Sequence, residues 1–386
     1  MKSTFGITHT SAMSIIRNLV LMVLILAAVG IYFVFVIHLR NVNLTLSSTS
    51  HGKRLPKSRR VIVLISQPRS GSTFLGRVIN MYEEMLYVYE PLQAVLKLNE
   101  VTNKSTKATR KYTEVATSFL KELFGCKFSS TKEDWLRKVF SSPMNFESSF
   151  SQLCRTITVK NARLCSEPKT TIFHSLCRKC KTLFVKLLEH RLPTPTDQLF
   201  QITPATTEMH VVYLTRDPRA SFWSLLNKGW VSDRLEGYFE NYISERCRES
   251  LLNIRRIAVG KRKIIILRYE DFLHSPLAMV RKLSNFLGEQ MNLEFQENYL
   301  QLIHKDERRC SKNGTYINPT VTRPNWRTEA NSNFVRIVEK HCKEVMDILG
   351  YRNVKNTVYS NCNNEYLVEL EDVPLLARFN YKEDIY

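Results

Sequence analysis

The chain has 386 residues, 44% of them hydrophobic, and a formal net charge of +20. That length holds one large domain or two small ones with a real core, and that composition excludes a disordered or fibrous protein. The charge favours anionic partners: nucleic acid, lipid headgroups, or a multiply charged small molecule or polysaccharide.

From Leu19 to Ile37 every residue is apolar or aromatic, with Arg17 before the run and His38 and Arg40 after it. At about 1.5 Å per residue the run spans roughly 28 Å, the thickness of a bilayer's hydrocarbon core. No small-residue cleavage site follows it, so the expectation is an uncleaved signal anchor over 19–39, a short cytoplasmic tail over 1–18 and a polar, basic stem over 40–60. Counted literally, the flanking positive charges put the C-terminal domain in the cytosol. Two observations oppose that. Asn43, Asn103 and Asn313 begin glycosylation sequons, and all nine cysteines lie at or beyond Cys126, as in an oxidising compartment. A luminal domain, in a type II membrane glycoprotein, removes nucleic acid as a partner. Nine cysteines is an odd number, so at least one is free or pairs between chains, which leaves a homodimer open. Cys177 and Cys180 have no second Cys or His pair at metal spacing and read as disulfide formers, with connectivity undetermined.

Residues 61–65, Val-Ile-Val-Leu-Ile, read as a strand buried on both faces. The loop Gln67, Pro68, Arg69, Ser70, Gly71, Ser72, Thr73 follows, and a helix then begins near Phe74. Further strands are expected at Met85–Tyr89, Val211–Thr215 and Ile264–Arg268, each followed by a helical pattern. The alternation argues for an α/β fold with a P-loop-like, doubly wound parallel sheet. Residues 99–200 read as an inserted, Cys-bearing helical region, Asn333–Leu349 as a late amphipathic helix stopped by Gly350, and 353–386 as an extension.

In such a sheet, ligands bind beyond the carboxyl ends of the strands, where Arg69, Glu90, Arg216 and Arg268 fall. A strand, a loop of small hydroxyl residues and a helix N-terminus make an anion site, to which Arg69 adds a guanidinium fork. The loop lacks the Gly-Lys-Ser/Thr ending that holds nucleotide phosphates with Mg²⁺, so no metal is expected. Arg216 ends a strand, and Ser224 lies two helical turns on, spaced to grip one phosphate together; an Arg-Asp turn bridge is the plain alternative.

Together these two elements resemble the sulfotransferases that use 3′-phosphoadenosine-5′-phosphosulfate (PAPS). The resemblance is closest to the Golgi Gal/GlcNAc/GalNAc 6-O-sulfotransferases, supported by Leu86–Leu92, Arg268–Phe272, Asn325–Arg327, and Cys342 through Tyr351. It covers about 61–352, the expected sulfotransferase domain. It implies a Golgi enzyme that moves the sulfuryl group of PAPS to a glycan or glycosaminoglycan hydroxyl, releasing the bisphosphate PAP. It also implies that residues 67–74 bind the 5′-phosphosulfate, Arg216 and Ser224 bind the 3′-phosphate, Arg69 stabilises the leaving phosphate, and Glu90 is the general base. Trp326 and Arg327 either close over the nucleotide or are a packed Trp beside a solvated Arg. Gln93 and Ala94 stand where the family has aromatic and His positions, which leaves the acceptor sugar open. The sequons predict that peptide N-glycosidase lowers the apparent mass of cell-made protein; an unglycosylated domain digestible by protease from the cytosolic side would reverse the topology.

Overall fold

A computed structural model of the chain describes residues 59–96, 106–128, 170–231, 237–260, 262–304 and 326–353. The expected membrane anchor, the stem up to residue 58, the three sequons and the C-terminal extension beyond residue 353 lie outside these residues, while Arg59 and Arg60, expected in the stem, already belong to the first strand. Among the described residues no helix is long and apolar enough to cross a membrane.

The elements run β1 (Arg59–Ser66), α1 (Ser72–Ile79), β2 (Met85–Tyr89), α2 (Leu92–Leu96), α3 (Thr106–Gly125), α4 (Thr170–Lys179), β3 (Thr182–Leu188), α5 (Leu199–Ile202), β4 (Thr207–Thr215), α6 (Pro218–Asn227), α7 (Tyr238–Val259), β5 (Ile264–Arg268), α8 (Tyr269–His274), α9 (Pro276–Leu287), α10 (Leu293–His304), α11 (Trp326–Glu329) and α12 (Ser332–Leu349). All strand pairs are parallel, in the order β2-β3-β1-β4-β5. Residues 61–65 of β1 are fully buried because both its edges are paired and both its faces covered. Val61, Val63 and Ile65 pack in one apolar layer with side chains of α3, α7 and α12. Ile62 and Leu64 face the other layer, with α1, α9 and α10. Successive strand residues point to opposite faces, so a continuous β-branched run serves two cores at once.

The four expected strands are present. The fifth, β3, corrects the reading of 99–200 as an inserted helical region: α3 and α4 are helical, but 182–188 is an interior strand between β2 and β1. A short apolar run is indistinguishable by period from a buried helix segment, and Lys186 in its middle breaks the apolar signal. Its strand state depends on partners remote in sequence, Val61–Ser66 on one side and Met85–Tyr89 on the other.

Helix α12 stops at Gly350 as expected and starts at Ser332, one residue before the expected Asn333. The Asn331 side chain accepts from the Phe334 N–H, and Gly350 adopts φ 77°. Cys342 in α12 is bonded to Cys247 in α7, and Cys126 to Cys177, while the Cys180 thiol is buried and unbridged. The 247–342 bridge closes a separation of 95 residues. Replacing both of these cysteines by Ala is expected to lower unfolding stability by about 2–5 kcal/mol, read as an earlier urea midpoint by circular dichroism. A loss below about 1 kcal/mol would mean that helix packing alone holds this face.

Candidate active site

The strand order reverses around β1, so its C-terminal edge opens a crevice where the loop to α1 begins. Arg69 and Gly71 both sit in the left-handed region, φ 64° and 85°. That costs little at a glycine and of order 1 kcal/mol or more at an arginine, strain of a kind that concentrates at functional sites. No side chain caps α1 at Gly71, so its first-turn N–H groups remain for a ligand. A Cβ at Gly71 would lie 2.2 Å from Cδ2 of Tyr269, the first residue of α8, so only glycine fits there. The same Tyr269 ring also meets a charge, the Arg216 guanidinium, 4.8 Å from its centroid.

The structure brings Arg69, Arg216 and Ser224 together. Arg69 Nε donates to Ser224 Oγ at 2.9 Å, and Arg216 donates to the Arg69 carbonyl at 2.8 Å. Burial, then the neighbouring Arg216 charge, pushes the Arg69 pKa down; the guanidinium stays charged, and an anion would relieve both effects. The Arg-Asp turn bridge is not formed by Arg216. Asp217 instead pairs with Arg219 through two contacts of 3.0 Å, caps α6 by accepting from the Arg219 N–H, and gives its own N–H to Glu270. Arg216 is thereby carried on a rigid turn.

Glu90 follows β2 with φ 44°. Its carboxylate takes Lys186 Nζ at 2.8 Å and an Arg191 nitrogen at 2.7 Å. Burial raises its pKa, but these two cations outweigh burial and hold it below the ordinary carboxylate range. Lys186, 2% exposed in β3, also reaches Thr73 Oγ1 at 3.3 Å, which links Glu90 to the loop. Sequence reasoning missed Lys186 and Arg191. The available signal was a lysine inside the apolar run 182–188, a cation that burial tolerates only beside a carboxylate.

The other loop residues divide by role. Ser70 and Ser72 are buried, Thr73 is half-buried, and Pro68 is packed against the sheet end. The Phe74 ring is core, edge-on to Phe272, so Phe74 can offer a ligand only its backbone. Gln67 turns inward and donates at 2.5 Å to Glu189, a third residue the sequence reading missed. Trp326 does not stand over the loop as a stacking surface: its ring is 1% exposed in the core, with the Arg219 and Arg327 guanidinium carbons 4.6 and 5.6 Å from its centroid. Among the described residues no group of His, Cys, Asp and Glu is placed to hold a metal ion.

Glu189 is fully enclosed and accepts from Gln67, Tyr213, Ser250 and Asn253. Burial raises its pKa against the lowering effect of those four bonds. A carboxyl whose folded pKa exceeds its unfolded one adds stability below the unfolded value, and that stability is lost as pH rises through the folded value. Glu189→Gln is therefore expected to flatten the fall in urea stability just above the ordinary carboxylate pKa. An unchanged pH profile would show that Glu189 titrates alike in the folded and unfolded chain.

The chain is similar to known proteins. Residues 61–292 match the profile described as Sulfotransferase family. Carbohydrate sulfotransferase 1 of Danio rerio is 21% identical over 345 residues, covering 76% of this chain and 78% of that protein. Carbohydrate sulfotransferase 4 of Mus musculus is 25% identical over 357 residues, covering 79% and 86%. Among solved structures, the sulfotransferase domain of the Synechococcus olefin synthase aligns with a TM-score of 0.42 at 14% identity, covering 75% of this chain and 98% of that one. With more than half of its length matched by the family profile, including the loop after β1, the turn at Arg216 and the end of β5, the chain belongs to the sulfotransferase family and is a sulfotransferase.

Proposed function

We propose that this chain transfers the sulfuryl group of PAPS to a sugar hydroxyl, the 6-OH of Gal, GlcNAc or GalNAc in a glycan or glycosaminoglycan. The observation that carries the reading is the joining of Arg69, Arg216 and Ser224 at an uncapped helix N-terminus. Two guanidiniums there donate to neutral oxygens, so their charge is left for the phosphates of a donor. The N–H groups of the 67–74 loop and the hydroxyls of Ser70, Ser72 and Thr73 would hold the 5′-phosphosulfate. Arg216 and Ser224 would hold the 3′-phosphate, with the Arg69–Ser224 bond giving way to it. Bound PAPS supplies an activated S–O bond. The acceptor oxygen attacks sulfur, the bond to the 5′-phosphate breaks, and Arg69 stabilises the charge left on that phosphate.

Glu90 is the base that takes the hydroxyl proton in this reading, supported by its link through Lys186 to Thr73. A carboxylate has about four lone-pair directions, so the two ion pairs leave it room to accept. The same ion pairs favour a second reading, in which Glu90 positions Lys186 and Arg191 and its lowered pKa makes it a weak base. Lys186→Met separates the two. A base freed of that cation keeps turnover and moves the acid limb of the pH-rate profile upward; a positioning carboxylate loses turnover with no such shift.

The acceptor class follows from the relatives, both called carbohydrate sulfotransferases, and the net charge of +20 suits an acidic polymer. We place the enzyme in the Golgi membrane, single-pass through residues 19–39, with the catalytic domain luminal. The deciding experiment incubates the full chain in detergent with labelled PAPS and keratan, chondroitin and N-acetylglucosamine-ended acceptors, followed by linkage analysis. Label at O6 is expected; label at O4 or O2 would move the site of transfer, and PAP binding without transfer to any acceptor would leave a glycan-binding pseudoenzyme.

Three substitutions test the parts. Gly71→Ala should abolish PAP binding while the protein stays folded, because the Tyr269 ring blocks the new methyl. Arg216→Ala should weaken PAP by about 10-fold or more, the worth of one charge-assisted bond, and adenosine phosphosulfate much less; equal losses would move the 3′-phosphate elsewhere. Glu90→Gln should cut turnover by about 10²–10⁴-fold with PAP affinity kept, and near-normal turnover would shift the search for the base to Glu270 or Asp271.

A further inference from the structure

Helix α6 ends in a Schellman turn. The Gly229 N–H reaches the Leu226 carbonyl at 2.8 Å, the Trp230 N–H reaches the Leu225 carbonyl at 3.1 Å, and Gly229 takes φ 66°. This fixes the backbone of Trp230 to a helix that is itself anchored by Leu225, 3% exposed. The indole nevertheless stays in solvent, 62% exposed. Trp326 is core, and Trp223 is half-buried with its ring N–H on Glu329 at 3.2 Å. The backbone of Trp230 is thus fixed while most of its ring stays open to solvent, so one apolar face is available to a ligand that approaches the site.

Its position says for what. The Trp230 ring centroid lies 5.4 Å from Cζ of Arg69. The same helix presents Ser224, which accepts from Arg69 Nε. The indole therefore stands at the reacting end of the site, beside the group assigned to the leaving phosphate. The adenine of the donor would lie a ribose away from that phosphate. What must approach the reacting end is the acceptor, and it arrives as a unit of a polymer, which needs an open surface rather than an enclosed slot. A pyranose presents one face of C–H bonds, which suits an indole: large, rigid, and cheap to order because only two side-chain torsions are held.

We propose that Trp230 is the platform on which the acceptor pyranose stacks, delivering its hydroxyl towards the sulfuryl group next to Arg69. The proposal rests on the sulfotransferase reading above. It makes Trp230 a substrate-binding residue for the sugar and leaves the nucleotide to other groups.

The test compares the full-length wild type with Trp230→Ala and Trp230→Phe. Transfer of label from PAPS is measured against N-acetyllactosamine and unsulfated chondroitin oligosaccharides, and PAP affinity by calorimetry. Trp230→Ala should raise the acceptor KM about 10-fold or more, as truncating an anchoring aromatic does, with PAP affinity unchanged to within about twofold. Trp230→Phe, which keeps a smaller ring, should recover much of the loss, and thermal unfolding of both variants should match the wild type. An unchanged acceptor KM in Trp230→Ala overturns the proposal. So does a parallel loss of PAP affinity, which would put the nucleotide base on the indole. A wild type that binds PAP and labels neither sugar overturns the sugar platform. A wild type that does not bind PAP at all sinks the broader reading, and the two failures are thus distinguishable.

Discussion

The catalytic edge of this protein stands on one buried carboxylate. Glu189 leaves the end of β3 and gathers donors from three other elements: Gln67 after β1, Tyr213 in β4, and Ser250 and Asn253 in α7. Each donor is neutral, so the carboxyl is held by hydrogen bonds and not by an ion pair, and it ties neighbouring strand ends to the helix beneath them. Without it, the buried Tyr213, Ser250 and Asn253 side chains would each lose an acceptor, at a cost of about 1–3 kcal/mol apiece. The strained turn at Arg69 is tolerable because the residue two positions earlier is held in this way.

Around that anchor the charges separate into two sets with different uses. Lys186 and Arg191 share the Glu90 carboxylate, and Arg219 pairs with Asp217 and Glu339. These pairs are inside or half inside the protein, where a cation without a carboxylate would be costly. Arg69 and Arg216, by contrast, give their bonds to a hydroxyl and a carbonyl. Two guanidiniums close enough to lower one pKa, with uncharged partners, form a site whose electrostatics an anion improves. This asymmetry, more than the sum of positive charge, distinguishes the binding crevice from a generally basic surface.

Helix α6 joins these sets to the outside. At its start Asp217 and Arg219 lock the turn that bears Arg216, in its body Ser224 meets Arg69, and just past its end Trp230 reaches solvent over the same guanidinium. One element thereby sets Arg216, Ser224 and the Trp230 ring around a single guanidinium. Reactivity in group transfer depends on such positioning, because the protein contributes orientation and charge and little covalent chemistry.

The sequence by itself determined the elements whose signal is local. The run Val61–Ile65, the small-residue loop with its glycine and the Gly350 stop of α12 are each specified by residues within a few positions of one another. Arg69, Glu90 and Arg216 stood out because they follow strand ends, and Ser224 because it lies two helical turns beyond Arg216. Only the tertiary structure decided that 182–188 is a strand, that Lys186 and Arg191 close on Glu90, that Glu189 gathers Gln67, and that Trp326 is core while Trp230 is open. Each of those outcomes depends on a partner distant in the chain, such as the 96 residues between Glu90 and Lys186 or the 155 between Arg69 and Ser224. Periodicity and turn chemistry describe what a segment prefers alone; the burial of a charge or a ring is set by what folds against it.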